Sequence, residues 1–336
     1  MMKNIFFLRY INPRLKNILK ELINNSPLRF KNFNPPDFLN NKFLNWFLFV
    51  TLSFIWGSSF ILMKEGLEKL TAFQVASLRI ISSGLVLLPT AIKTFREIPK
   101  NKIGTIFISG LLGSLLPAYL FCIAEQGIDS ALAGVLNSLT PIFVIICGAL
   151  FFQNVTTRYK ILGIIIAFAG SVLLFFSQPG VSQPGNTLYV SLIVLATILY
   201  GFNVNMVHRH LSAIPSIRIA ALALSLNAVP ALIVLYFTNY FKLDFTDRGI
   251  LFSTAFSFVL GIFGTAIATI LFYILLKRAG SIFASMVTYG IPAFAIMWGI
   301  IYGEQVGILQ AICLGIILVG VFVANRKANI KVNVPV

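Results

Sequence analysis

Few side chains in this sequence could do chemistry, and spacing singles out two of them. Asn137 and Thr288 each stand four residues before a proline, Pro141 and Pro292, inside a long apolar run. A proline within a helix has no N–H, so the carbonyl four residues earlier loses its partner. In hydrocarbon that carbonyl must find another donor or face a protein-lined cavity. The pattern predicts polar atoms near the middle of a membrane, suited to holding a small solute by hydrogen bonds. Bond-making chemistry finds no such support. The two histidines, His208 and His210, flank Arg209 in a connection, and no carboxylates cluster within the runs. Neither a metal-ligand set nor a nucleophile–base pair can be assembled from them. Cys122, Cys147 and Cys313 all lie within apolar runs and read as small packing residues. No phosphate-binding loop of the form G-x₄-GK[ST] occurs, so the chain carries no nucleotide motor of its own.

The two proline sites are copies of one stretch. At an offset of 151 residues, Pro141 falls on Pro292, Gly148 on Gly299, Gln153 on Glu304 and Asn137 on Thr288. The register continues upstream without a gap, to Gly113 on Gly264 and Phe121 on Phe272. A smaller match sets Trp56-Gly57 on Tyr200-Gly201 at an offset of 144. The chain is therefore expected to be an internal duplication.

What must position these residues is a set of membrane helices. Of the 336 residues, 58% are hydrophobic and 11% charged, and the mean hydropathy is +0.90. That composition belongs to an all-α integral membrane protein rather than a soluble domain. Ten apolar runs are visible, at 43–63, 72–92, 103–124, 130–152, 160–177, 187–207, 217–238, 250–276, 281–302 and 306–324. The net charge of +16 comes from bases spread over short connections, which argues for orientation in the bilayer and against nucleic acid. With the N-terminus inside, 21 Lys and Arg fall on the cytoplasmic side and 4 outside. Without residues 1–42 the split is still 13 to 4. Ten transmembrane helices with both termini inside are expected, in a multi-pass protein of the cell (inner or plasma) membrane.

Five spans per copy is an odd number, so the second copy must enter the membrane from the opposite side. Two inverted five-helix repeats are the architecture of secondary transporters, with a site near the midplane between them. The expected units are a basic, Asn-rich extension at 1–42, a first repeat at 43–177, a second at 187–324 and a cytoplasmic tail at 325–336. Within the extension, Ile11, Leu15, Ile18, Leu19 and Leu22 recur at helical spacing, so it reads either as an interfacial helix or as a disordered segment. Its apolar patch Ile5–Leu8 is too short for a signal peptide. Small residues at Gly299-x₃-Gly303, Ser53-x₃-Gly57 and Ala167-x₃-Ser171 would allow close helix approach.

Several of these stretches carry a resemblance. Trp56-Gly57-Ser58-Ser59-Phe60, Ser77-Leu78-Arg79, the Pro141 and Pro292 segments and the glycine-containing helices Gly163–Leu174 and Gly315–Val323 resemble the EamA family of the drug/metabolite transporter superfamily. The likeness covers about 43–324. It implies a ten-helix carrier moving small organic solutes, commonly by export of amino acids or other metabolites, without fixing the substrate. One departure stands out. The family often ends its fourth span with an acid, where this chain has Gln153, and the second copy alone keeps it, as Glu304.

Around Asn137 and Thr288, further residues are expected to line a substrate cavity. Tyr289 offers a hydroxyl and a ring, and Trp56 and Tyr200 are repeat mates deep in their spans. Tyr119, Thr265 and Thr269 are polar positions on the third and eighth runs. Pro141 and Pro292 serve as helix breaks, and Ser58, Ser59, Asn203 and Asn205 are gating candidates. Arg79 is a charge within a span, a functional suspect by its position. Packing, snorkelling or pairing with Glu65 or Glu68 are its competing roles. Glu125 and Asp129 read as loop charges, and Glu125 or Glu304 would serve a proton-coupled cycle. No cofactor or metal is expected. The partners are the bilayer and an unidentified small molecule. A channel, a lipid scramblase or a receptor-like binding protein is the competing class.

Overall fold

A computed structural model describes residues 41–128, 130–177, 187–301 and 307–324. Among them every regular element is helical, and none is a strand. Helix α1 is Asn41–Leu67 and α2 is Ala72–Phe95. A third rod is built from α3 (Lys100–Gly110), a π turn at Leu111–Leu115 and α4 (Leu116–Ala124). It is followed by α5 (Ser130–Asn137), α6 (Thr140–Phe152) and α7 (Arg158–Phe176). The second half repeats this order. It has α8 (Thr187–His210), α9 (Ser216–Phe237), then α10 (Arg248–Val259), a π segment at Leu260–Ile267 and α11 (Ala268–Ala279). After these come α12 (Ser281–Ser285), a 3₁₀ turn at Met286–Tyr289, α13 (Ile291–Ile301) and α14 (Ile308–Ala324).

The boundaries follow from local chemistry. Thr71 caps α2 by accepting from the Gln74 N–H at 3.3 Å, while Gln74 Oε1 accepts from the Thr71 N–H at 3.0 Å. This reciprocal pair satisfies two N–H groups that the first turn would leave unpaired. Asp247 caps α10 by a single bond, accepting from the Gly249 N–H at 2.7 Å. His208 and His210 belong to the last turn of α8 rather than to a connection. Arg209 between them puts a positive charge at the helix C-terminus, where it is favoured.

Among the described residues, eight helices are long and apolar enough to cross a membrane, from Lys42–Leu67 to Arg248–Ala279. The last two apolar runs form shorter apolar helices, Ser281–Phe294 and Ile308–Ala324. Their outer faces are apolar: Leu150, Phe151, Phe237 and Ile308 are exposed. Ser77, Ser83, Ser109 and Asn227 are buried. Apolar side chains outside and small polar ones inside is the pattern lipid selects, since the helices already satisfy their own backbones.

Packing pairs equivalent helices of the two halves. Helix α2 lies against α9, where Ser225 Oγ donates to the Gly84 carbonyl at 2.9 Å. Helix α7 lies against α14. A methyl group on Gly163 would come within 2.3 Å of the Ala324 nitrogen, and one on Gly320 within 2.4 Å of the Ala167 nitrogen. Backbones this close exclude any side chain at either glycine. Of the small-residue pairs read from the sequence, Ala167 lies at this interface and Ser53 donates to the Val287 carbonyl at 3.1 Å. Gly303 lies outside the described residues.

The proline sites differ from expectation. Neither proline stands inside a continuous helix. Helix α5 ends at Asn137, Ser138 and Leu139 form a turn, and α6 restarts at Thr140 with Pro141 in its first turn. In the second copy the chain tightens into the 3₁₀ turn, and α13 restarts with Pro292 as its second residue. The first turn of a helix needs no donor from these positions, so proline fits there without breaking a bond. The interruption lies before each proline, at Asn137 and Thr288 themselves.

Two clusters of buried apolar side chains fill the ends of the bundle. One includes Leu52, Val207 and Leu222, the other Met63, Leu78 and Ala196. On α1 the first cluster holds Leu48, Phe49 and Leu52 and the second Met63, and on α8 the order is reversed. Between them polar side chains enter the interior among aromatic rings.

Candidate functional site

Between the two apolar clusters lies a cavity of about 120 Å³. A single water needs roughly 10–15 Å³ measured this way, so the space suits several waters or a small organic molecule. On α1 its lining is Trp56, Ser59 and Phe60, residues that fall between Leu52 and Met63. On α8 it is Tyr200, Asn203 and Val204. Arg79 reaches it from α2.

Among the described residues, both π segments and both mid-run helix breaks border this cavity. Gly113 and Ser114 come from the first π turn, and Gly264 and Thr265 from the second. Asn137 and Thr140 flank the break between α5 and α6, while Ser285, Thr288 and Ile291 bracket the break in the second copy. A π turn adds a residue to one helical turn and displaces the i→i−4 pattern, which puts backbone carbonyls within reach of other partners. At Gly264 the effect is visible. The Ala268 N–H bonds to the Phe263 and Thr265 carbonyls, on either side of Gly264, and the Gly264 carbonyl accepts from Trp56 Nε1 at 3.2 Å.

Side chains around the cavity are bonded to different degrees. Arg79 Nε donates to Thr265 Oγ1 at 2.6 Å. Thr140 Oγ1 donates to Asn137 Oδ1 at 3.3 Å, and Thr288 Oγ1 donates back to the Ser285 carbonyl at 3.1 Å. Ser59 Oγ likewise donates back to the Ile55 carbonyl, at 2.8 Å. Asn203 is 3% exposed, and its Oδ1 is buried without a partner. The Trp56 ring packs on Phe272 with centroids 5.5 Å apart, and Tyr200 packs on Phe121 at 6.2 Å.

Of the residues expected from sequence, Asn137, Thr288, Trp56, Tyr200, Thr269, Thr265, Ser59, Asn203 and Arg79 line this one space. Others lie elsewhere. Tyr289 is buried away from it and donates to the Ile164 carbonyl at 3.2 Å. Tyr119 pairs with Ser77 at 2.7 Å. Ser58 accepts from Trp298 Nε1 at 2.8 Å. Asn205 is held by the Val144 and Gly201 carbonyls, both at 2.8 Å, and accepts from Asn154 at 2.9 Å. Pro141 and Pro292 start helices beside the cavity without lining it. Asp129 and Glu304 lie outside the described residues. The sequence reading left out Phe60, Met63 and Tyr273 as lining residues. Phe121 and Phe272 were signalled by their repeat register, while Tyr273 has no counterpart that would mark it.

Glu125 caps the C-terminal end of α4. Its Oε1 is cut off from solvent without a partner, and Ser130 Oγ approaches Oε2 at 3.5 Å. Burial pushes this carboxyl up to about 8, against the pull of the Arg79 and Lys64 charges. Among the described residues no three His, Cys, Asp or Glu side chains stand together as a metal site would require.

Comparison with known proteins gives the same outline. A family model, the EamA-like transporter family, matches residues 44–176 and again 187–326. An uncharacterized transporter of Archaeoglobus fulgidus is 26% identical over 288 residues, 84% of this chain and 99% of its own. An S-adenosylmethionine/S-adenosylhomocysteine transporter of Chlamydia trachomatis is 27% identical over 269 residues, 77% of this chain and 82% of its own. The uncharacterized inner membrane transporter YedA of Escherichia coli is 24% identical over 276 residues, 80% of this chain and 87% of its own. A solved crystal structure superposes with a TM-score of 0.65 over 85% of this chain and 96% of that one. At 16% identity, that likeness is one of fold.

Proposed function

The chain belongs to the EamA-like transporter family, a multi-pass protein of the cell membrane, and from that premise we propose that it is a secondary carrier of small organic solutes working by alternating access. The observation that carries this reading is the position of the cavity. It lies between two apolar clusters and is lined by equivalent positions of both halves, Asn137 with Thr288 and Trp56 with Tyr200. A carrier needs such a site, because rocking one repeat against the other can then expose it to either face in turn.

The proposal includes ten spans in two inverted five-helix repeats, with both termini cytoplasmic and net flux outward. The base asymmetry between connections supports that orientation. The Chlamydia relative, named as an S-adenosylmethionine/S-adenosylhomocysteine transporter, supports a small-molecule substrate.

The test is uptake into proteoliposomes from a labelled metabolite panel that includes S-adenosylmethionine, with and without a proton gradient. Saturable uptake of at least one solute above empty liposomes is expected. Uptake that rises linearly with concentration would indicate a pore, and none above background would remove the carrier reading.

A further inference from the structure

Glu125 carries a carboxyl without a counter-ion one helical turn beyond Phe121, which lines the cavity. Its neighbours in the turn, Ala124 and Ile128, are buried members of the second apolar cluster. Oε1 is shut off from solvent and accepts no bond, and Ser130 Oγ reaches Oε2 only at 3.5 Å. An ionised carboxylate is costly in that setting, so this packing favours the protonated form. The residue nevertheless keeps part of its surface exposed, which gives a proton a way in and out.

Two cations act on this carboxyl. Arg79 of α2 and Lys64 of α1 both pull on its charge, and neither makes an ion pair with it. Among the described residues these are the charged groups that face it. Cys122 precedes it on α4, and from α8 the Tyr189 ring covers the adjoining Gly127.

Arg79 is also a clasp between the halves. Its Nε donates to Thr265 Oγ1 at 2.6 Å, and a methyl group on Gly261 would meet its carbonyl at 2.3 Å. Helix α2 of the first half is thus held against the π segment of the second, beside the cavity. Thr265 takes Nε alone, so the fork of terminal nitrogens retains four N–H donors that suit a carboxylate. Among the described residues no carboxylate is ion-paired with it.

We propose that Glu125 is a proton site that works a catch on the outer side of the carrier. With the proton bound, Arg79 stays clasped to Thr265 and the seam between α2 and the π segment is closed. With the proton released to the outer solvent, the carboxylate draws the guanidinium off Thr265 into an ion pair, and the seam opens. A proton can drive this because it binds the two arrangements unequally. Ionised, Glu125 is unpaired in the closed arrangement and paired in the open one. The catch rests on the carrier reading for its purpose and on the proposed orientation for its side, but it is measurable without any solute.

The experiment uses the tryptophans at 46, 56 and 298. In a Trp46→Phe, Trp298→Phe background the remaining Trp56 lines the cavity and bonds the Gly264 carbonyl, next to Thr265. Quenching of its fluorescence by acrylamide, an uncharged probe, is followed in the purified full-length protein as the pH is raised. Quenching should rise several-fold with a midpoint near pH 8, where the carboxyl ionises. Glu125→Gln, which resembles the protonated form, should stay at the low value throughout. Glu125→Asp should recover a rise, and Thr265→Val, lacking the clasp, should be high at every pH. A flat profile in the parent protein, an unchanged rise in Glu125→Gln, a flat one in Glu125→Asp or low quenching in Thr265→Val would each overturn the catch. A titrating profile in a protein that carries no panel solute would sink the carrier reading and leave the proton site standing. Saturable uptake with quenching that ignores pH would do the reverse.

Discussion

The indole N–H of Trp56 donates to the carbonyl of Gly264 across 3.2 Å, tying the first helix of one half to the π segment of the other. The rings repeat this exchange. Trp56 packs on Phe272, and its repeat mate Tyr200 packs on Phe121, the mate of Phe272. Each half thus sets its first helix against the third rod of the other, with the cavity between the two contacts. Under the proposed rocking of the two halves, these contacts would couple one half to the other at the site itself.

Trp56→Phe keeps a ring against Phe272 and removes the donor. Interhelical polar contacts in a bilayer average about 0.6 kcal/mol, so the melting midpoint should hardly move. Transport should fall several-fold, because the Gly264 carbonyl loses its fixed partner. Unchanged transport rates in proteoliposomes would show that this bond does not link the halves.

At the α7–α14 contact the effect should be one of stability. A methyl group at Gly320 meets backbone, the Ala167 nitrogen at 2.4 Å, which cannot turn aside as a side chain could. Gly320→Ala should cost about 1–3 kcal/mol, the range for overpacking a close contact. The check is a lower melting midpoint in detergent. A midpoint equal to wild type would mean the helices can separate freely.

Glu125 gives a pH dependence of definite sign. Its carboxyl is raised from 4.5 to about 8, mainly by burial, so the folded protein holds a proton that the unfolded chain has released. Stability from this group is full below about 4.5, falls as pH rises and levels off above about 8. Melting midpoints should decline over that window, and Glu125→Gln should flatten the decline. A wild-type midpoint that rises between pH 5 and 8 would contradict the burial of this group.

How much of this was legible in the sequence depended on what the signal encoded. The repeat register placed Asn137 and Thr288 at equivalent points, and both turn out to border one cavity, because duplicated segments break at the same place. Helical periodicity does not survive a break, however. Tyr289 follows Thr288 directly, yet the 3₁₀ turn carries its hydroxyl to Ile164. The prolines marked the interruptions correctly but two to four residues late, since proline starts the new helix rather than ending the old one. Neither π segment leaves a compositional trace. The glycines Gly113 and Gly264 within them stood out through their shared register alone.

The central claim is that one cavity, shared by both halves, is the place where a solute waits while access alternates. Its most direct measurement is solute counterflow in proteoliposomes, using whichever panel solute the wild type carries, beside Asn137→Ala and Thr288→Val. Both residues are nearly buried, 8% and 5% exposed, and both line the cavity. The expected result is counterflow by the wild type and its loss in both variants, each still inserted and folded at wild-type abundance. Wild-type counterflow in both variants would contradict the account and place the solute elsewhere.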